Sequence, residues 1–196
     1  MTVTAPRHIW ASATALTHRT TPREEAAVVT SAPARRWIAV LRLATGFIFL
    51  WAFLDKTFGL GFSTPTAQAW INGGAPSQGF LNSPAVSGPL KGAFAAIASP
   101  TSDWLFMIAM LGIGVAVMLG IGLRVSAVVG SFVLVLMYLA EWPFGANASS
   151  TNPVVDYHLI FALALIVVAA VSAGDTWGLG RQWRQLRLVQ KQHWLI

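Results

Sequence analysis

Four apolar runs, at about 37–58, 103–123, 125–142 and 154–173, dominate the chain, and runs of this length leave the backbone little choice of fold. Each approaches the ~20 residues that a helix needs to cross about 30 Å of hydrocarbon. In lipid every N–H and C=O must be satisfied within the protein, so such segments are helical. Of the 196 residues 55% are hydrophobic and 10% charged, with mean hydropathy +0.61; soluble domains carry roughly 25% charged residues. The sequence therefore predicts an all-α integral membrane protein, a four-transmembrane-helix bundle. The third run is slightly short, which predicts local bilayer thinning or a helix extended beyond Trp142. Only the turn around Arg124 separates the second and third runs, so they form a tight antiparallel hairpin.

Basic residues orient the bundle. Arg35, Arg36 and Arg42 lie at the start of the first run, Arg124 in the second turn, and Arg181, Arg184, Arg187 and Lys191 after the fourth run. The other side has only Lys56 and Lys91. The positive-inside rule then places both termini in the cytoplasm. Trp51, Trp104 and Trp142 mark the outer interface, and Trp37, Trp177 and Trp183 the inner one. Residues 1–34, rich in Thr, Ala and Pro, read as a disordered cytoplasmic tail, 35–185 as the membrane domain and 186–196 as a cytoplasmic C-terminal tail. Nothing before Trp37 supplies the apolar core of about 7–15 residues of a signal peptide, so the first helix is expected to serve as its own targeting signal. The formal charge of +6 flanks apolar runs rather than forming a stripe, which argues against a nucleic-acid partner.

The outer loop, about 59–100, is too long for a simple connector. Its Gly and Pro forbid a full span, yet Trp70, Phe80, Leu90 and Phe94 need apolar surroundings. Two readings stay open: short interfacial helices folded as a lid over the bundle, or helices lying on the lipid surface. The outer junctions echo one another. The first and third runs end in Asp55-Lys-Thr-Phe-Gly59 and Glu141-Trp-Pro-Phe-Gly145, and the second and fourth begin Ser99-Pro-Thr-Ser-Asp103 and Asn152-Pro-Val-Val-Asp156. A duplicated two-helix hairpin gives this pattern, as in parallel transporter repeats. Ordinary helix-start chemistry explains Asp103 and Asp156 equally well, but an acid at a helix C-terminus, as with Asp55 and Glu141, opposes the dipole. Gly112, Ala116 and Gly120 form a small-residue stripe suited to close helix packing.

Ionisable side chains therefore gather at the outer ends: Asp55, Lys56, Glu141, Asp156 and His158 are the candidate catalytic residues. Charges near lipid mark functional sites. The chain has no cysteine, excluding disulfides and thiolate chemistry. Haem ligation by two histidines is not expected, since only His158 adjoins a span, and no spacing specifies a metal site. There is no Walker or dinucleotide motif. What remains is a partly desolvated proton-handling pocket. Quinones suit it, because an apolar ring enters from lipid while acids or His exchange protons at its carbonyls. Trp51, Trp142 and Tyr157 are the candidate ring-stacking residues, with plain interface anchoring as the alternative.

Several segments also resemble a known family. Arg42-Leu-Ala-Thr-Gly46 continuing to Asp55-Lys56, Trp70-Ile-Asn-Gly-Gly74 with Gly79-Phe-Leu81, Leu119-Gly-Ile-Gly-Leu-Arg124, Asn152-Pro-Val-Val-Asp-Tyr-His158 and Ala173-Gly-Asp-Thr-Trp-Gly-Leu-Gly180 are similar, in order and spacing over about residues 36–185, to DoxX/DoxD-like membrane proteins. That group includes the small subunit of thiosulfate:quinone oxidoreductase. The resemblance implies a four-helix protein of the bacterial plasma membrane, some of whose relatives pass electrons from a sulfur compound to quinone. Without cysteine this chain holds no persulfide, so sulfur oxidation would rest on noncovalent binding or a partner subunit. Two functions follow as expectations: a subunit of a quinone-linked oxidoreductase, or a non-catalytic scaffold anchoring a partner protein, with a homo-oligomer also open. A small-solute carrier is a third option, suggested by the duplication.

Overall fold

A computed structural model describes residues 29–144 and 152–195. Most of the expected N-terminal tail, and Gly145 of the repeated acid-x-x-Phe-Gly pattern, lie outside the described residues. Eight α-helices follow one another among the described residues: α1 (Ala32–Phe58), α2 (Pro76–Leu81), α3 (Lys91–Ile97), α4 (Pro100–Leu119), α5 (Leu123–Ala140), α6 (Tyr157–Ala170), α7 (Gly180–Gln185) and α8 (Arg187–Lys191). No strand occurs among these residues. Three helices, α1, α4 and α5, are long and apolar enough to cross a membrane, and α6 is a shorter apolar helix of 14 residues.

Local chemistry sets the ends. α1 begins five residues before the expected Trp37, with Pro33 in its first turn, where the missing N–H costs nothing. It stops at Gly59, whose φ of 64° lets its N–H return to the Asp55 carbonyl. α4 opens on a capping box between Ser99 and Ser102 and stops at Gly120, so the second run is broken three residues earlier than expected. α5 does not extend past Trp142. The Ser87 N–H takes the Ala140 carbonyl, Trp142 turns to φ 31°, and Pro143 follows. α6 begins at Tyr157 rather than near Val154, because Asn152 Oδ1 accepts the N–H groups of Val154 and Val155 in a side-chain turn and Asp156 becomes the cap. The junction echo therefore holds in sequence but not in detail: Ser99 caps α4, whereas the acid itself caps α6.

The main contacts pair α1 with α4 and α5 with α6, while α1–α6 and α4–α5 contacts join the two pairs. Both pairs are antiparallel. A Cβ on Gly46 would lie 2.8 Å from Met118 N, and one on Gly114 2.7 Å from Leu50 N; Ser131 of α5 meets the Ala162 carbonyl of α6. The expected stripe is misplaced. Gly112 faces open space, and the close approach of α1 to α4 uses Gly46 of α1 and Gly114 of α4, the latter on a neighbouring face from Gly112. Between the helices Phe49, Met110, Ile113, Val117, Leu134 and Leu165 form the core. Outward, Leu105, Ile108, Val128, Phe132 and Leu163 stay more than half exposed, an apolar surface suited to lipid.

The long loop folds over one end of the helices instead of lying apart from them. α2 packs on α4, and Val86 and Phe94 bury themselves against Ala140, Leu136 and Leu139 of α5. Ile71 and Ile97 of this loop remain exposed.

Candidate functional site

The C-termini of α1 and α5 and the N-termini of α4 and α6 share the loop-covered end, and the acids there have separate occupations. Asp55 is buried, its carboxylate accepting from the Phe62 and Ser63 N–H groups at 3.2 and 3.0 Å and from Ser63 Oγ at 2.6 Å. An acid unfavourable at a helix C-terminus is thus offset by three donors from the loop that follows. Asp103 serves the same purpose for α2. It accepts from Ser77 N, Ser77 Oγ, Gln78 N and Gln78 Nε2, capping from α4 a short helix that has no side-chain cap of its own. Both carboxylates hold loops in place. Lys56 is half-buried and makes no hydrogen bond or ion pair among the described residues.

Asp156 and His158 form the distinctive group. Asp156 Oδ1 caps α6 by accepting the Leu159 N–H at 3.2 Å, and its Oδ2 lies 2.8 Å from His158 Nδ1. The imidazole is fully buried, and its Nε2 has no partner among the described residues. An ionised Asp156 holds the ring proton on Nδ1, which leaves the Nε2 lone pair directed into the protein. The Tyr157 ring lies over the imidazole with centroids 4.0 Å apart, and its hydroxyl approaches Glu141 Oε2 at 3.5 Å. Orphaned buried nitrogens are rare in proteins. The chain has placed an oriented, desolvated base one residue from an exposed tyrosine.

The structure thus joins Glu141, Asp156, Tyr157 and His158. It does not link Asp55, Lys56, Trp51 or Trp142 to them through any hydrogen bond, ion pair or ring contact among the described residues. Trp51 packs edge-on against Phe62 at 5.1 Å and near Phe47 at 5.8 Å. Trp142 meets Phe144 at 5.6 Å and closes over Gly88, where a Cβ would lie 2.2 Å from its ring. Among the described residues no three acids or histidines are placed to share a metal ion.

At the opposite end sits a residue whose weight sequence reasoning missed. Arg42 reads as one of the flanking charges, yet it is fully buried inside α1. Its Nη1 donates to the Val117 and Met118 carbonyls at 2.6 and 2.5 Å, and its Nη2 to those of Trp177 and Thr176 at 2.9 and 3.4 Å. A planar guanidinium spans both pairs at once, and a cation suits the carbonyl end of α4. Close glycines make room: a Cβ on Gly174 would lie 2.0 Å from the Gly120 oxygen, and one on Gly178 3.2 Å from Arg42 Nη2. The signals were present, in a charge between Leu41 and Leu43 and in glycines at 120, 174 and 178. Ser63, Ser77 and Gln78, which satisfy the buried acids, carried no comparable signal.

Comparison with protein-family models, curated proteins and solved structures finds no match to the chain.

Proposed function

We propose that the chain is a multi-pass membrane subunit of a quinone-linked oxidoreductase, with His158 and Asp156 exchanging protons at the quinone. The observation that carries this reading is the fully buried imidazole, held through Nδ1 and unpartnered at Nε2 among the described residues. A quinone carbonyl supplies the missing polar partner, and the Tyr157 ring, already over the imidazole and exposed on its other side, is the side chain whose displacement admits it. Reduction to quinol takes two electrons and two protons. The electrons come from a donor compound, of the sulfur class by the DoxX/DoxD-like resemblance, or through a partner subunit; the protons pass by way of His158.

In this reading α6 is the fourth span. Its helix is only about 21 Å long at 1.5 Å per residue, and the turns at either end complete the crossing. Its exposed Ile160, Leu163, Ile166 and Val167 continue the apolar surface of its neighbours. The basic end then faces the cytoplasm. In a chain without cysteine, Ala85→Cys is expected to react with an impermeant thiol reagent in intact cells, and Gln192→Cys only after permeabilisation. The reverse pattern contradicts the orientation.

A scaffold reading draws on Asp55 and Asp103, both occupied in anchoring loops. The two readings separate on purification. Protein extracted gently from bacterial membranes is expected to carry bound menaquinone or ubiquinone. A stoichiometric protein partner with no quinone would favour the scaffold.

A further inference from the structure

After α6 the chain does not trail away. Ser172 and Trp177 both adopt left-handed backbone, with φ of 51° and 54°. For a side chain as bulky as Trp that conformation is strained, and it persists where surroundings impose it. Here the imposing group is Arg42, which grips the carbonyls of Thr176 and Trp177 from inside the bundle. The consequence is that the Trp177 ring is held outward, 59% exposed. α7 and α8 continue along this end: Val189 is fully buried, Trp183 Nε1 donates to the Leu195 carbonyl, and the turn at His193–Leu195 packs on α5. The remaining surface is of two kinds. Leu186, Leu188 and Trp194 are at least half exposed, and Arg181, Arg187 and Lys191 are exposed with no hydrogen bond or ion pair among the described residues. Arg184 is instead paired with Asp175 at 2.6 Å. No acid occurs from Thr176 to Ile196.

We propose that residues 176–195 form a fixed shelf lying in the headgroup layer of the membrane and binding anionic phospholipid. Arg181, Arg187 and Lys191 engage the headgroups, while Trp177, Leu188 and Trp194 enter the acyl boundary. Three features argue for lipid as the occupant. The shelf adjoins the ends of helices that present apolar flanks, so a bilayer around them meets it. Its uncompensated charges are all positive, matching anionic headgroups. Its exposed tryptophans combine an apolar ring with a polar N–H, the pairing found at membrane interfaces. This rests on the membrane-spanning reading, which the labelling of Ala85→Cys and Gln192→Cys tests separately, and it is independent of quinone.

The test uses the full-length chain carrying Leu188→Cys with a nitroxide label, in nanodiscs of phosphatidylcholine alone or with phosphatidylglycerol. Position 188 is 67% exposed, so the substitution leaves packing intact. With phosphatidylglycerol the label is expected to be more accessible to dissolved oxygen than to a water-soluble nickel chelate. Replacing Arg181, Arg187 and Lys191 with Gln shifts the label toward the chelate, the preference for the anionic lipid falling roughly fivefold for each charge removed at low salt. A label facing water in phosphatidylglycerol discs overturns the proposal. So does equal embedding in both lipids with and without the three charges, which would leave only apolar contact. Protection of the label in detergent by a copurifying protein would identify the shelf as a protein interface and overturn it too.

Discussion

Replacing Arg42 with Met is expected to lower the melting temperature of the purified protein by roughly 10 °C, the largest stability loss of any single change outside the glycine contacts. Met fills most of the same volume but leaves the carbonyls of Val117, Met118, Thr176 and Trp177 without their donors. Each buried acceptor left unpaired costs about 1–3 kcal/mol, less where water reaches it. A net loss of about 4 kcal/mol corresponds to roughly 8–16 °C for a chain of this size. Arg42→Lys retains the charge, but a compact ammonium cannot bridge both carbonyl pairs, so an intermediate loss is expected. Thermal unfolding in detergent, followed by tryptophan fluorescence, decides the matter. Melting of both variants within about 2 °C of the parent would show that these contacts do not hold the helix ends together.

The same residue shows where sequence reading stops. The apolar runs give α1, α4 and α5 to within a few residues, because helix formation in lipid depends on length and composition. The residues that cap and join them are read less well. Arg42 counts toward a basic flank until the fold brings the end of α4 and the 176–177 carbonyls around it, more than seventy residues away in sequence. Asp55 and Asp103 look alike because each stands at the outer end of an apolar run; their donors, Ser63 and Ser77, lie in a loop whose path no local pattern specifies. Gly112 shares a four-residue spacing with Ala116 and Gly120 while Gly114 stands between Met110 and Met118, yet the crossing of α1 packs Gly114. Asp156 and His158 were legible for a local reason: two residues apart at a helix start, they reach one another without help from the rest of the fold.

The second large effect falls on the proposed quinone chemistry. His158→Gln is expected to reduce quinone reduction by roughly 10²–10⁴-fold, the usual worth of a positioned acid–base group. Gln keeps a polar side chain of similar reach, so the loss is one of proton exchange and not of packing. Asp156→Asn retains an oxygen for the Leu159 N–H and hence the cap, but no longer favours the proton on Nδ1; a smaller loss follows, with little change in melting. Glu141 sits farther out, touching Tyr157 only at 3.5 Å, and Glu141→Gln is expected to lose a few-fold at most.

Turnover per folded molecule tests whether His158 exchanges protons with a quinone. The full chain, purified with any subunit that accompanies it, is supplied with thiosulfate and a short-chain ubiquinone, and quinol formation is normalised to protein that unfolds cooperatively. Quinol formation is expected from the parent, with near-complete loss in His158→Gln at an unchanged melting temperature and survival in Glu141→Gln. Full specific activity in His158→Gln, or a parent that reduces no quinone, would contradict it.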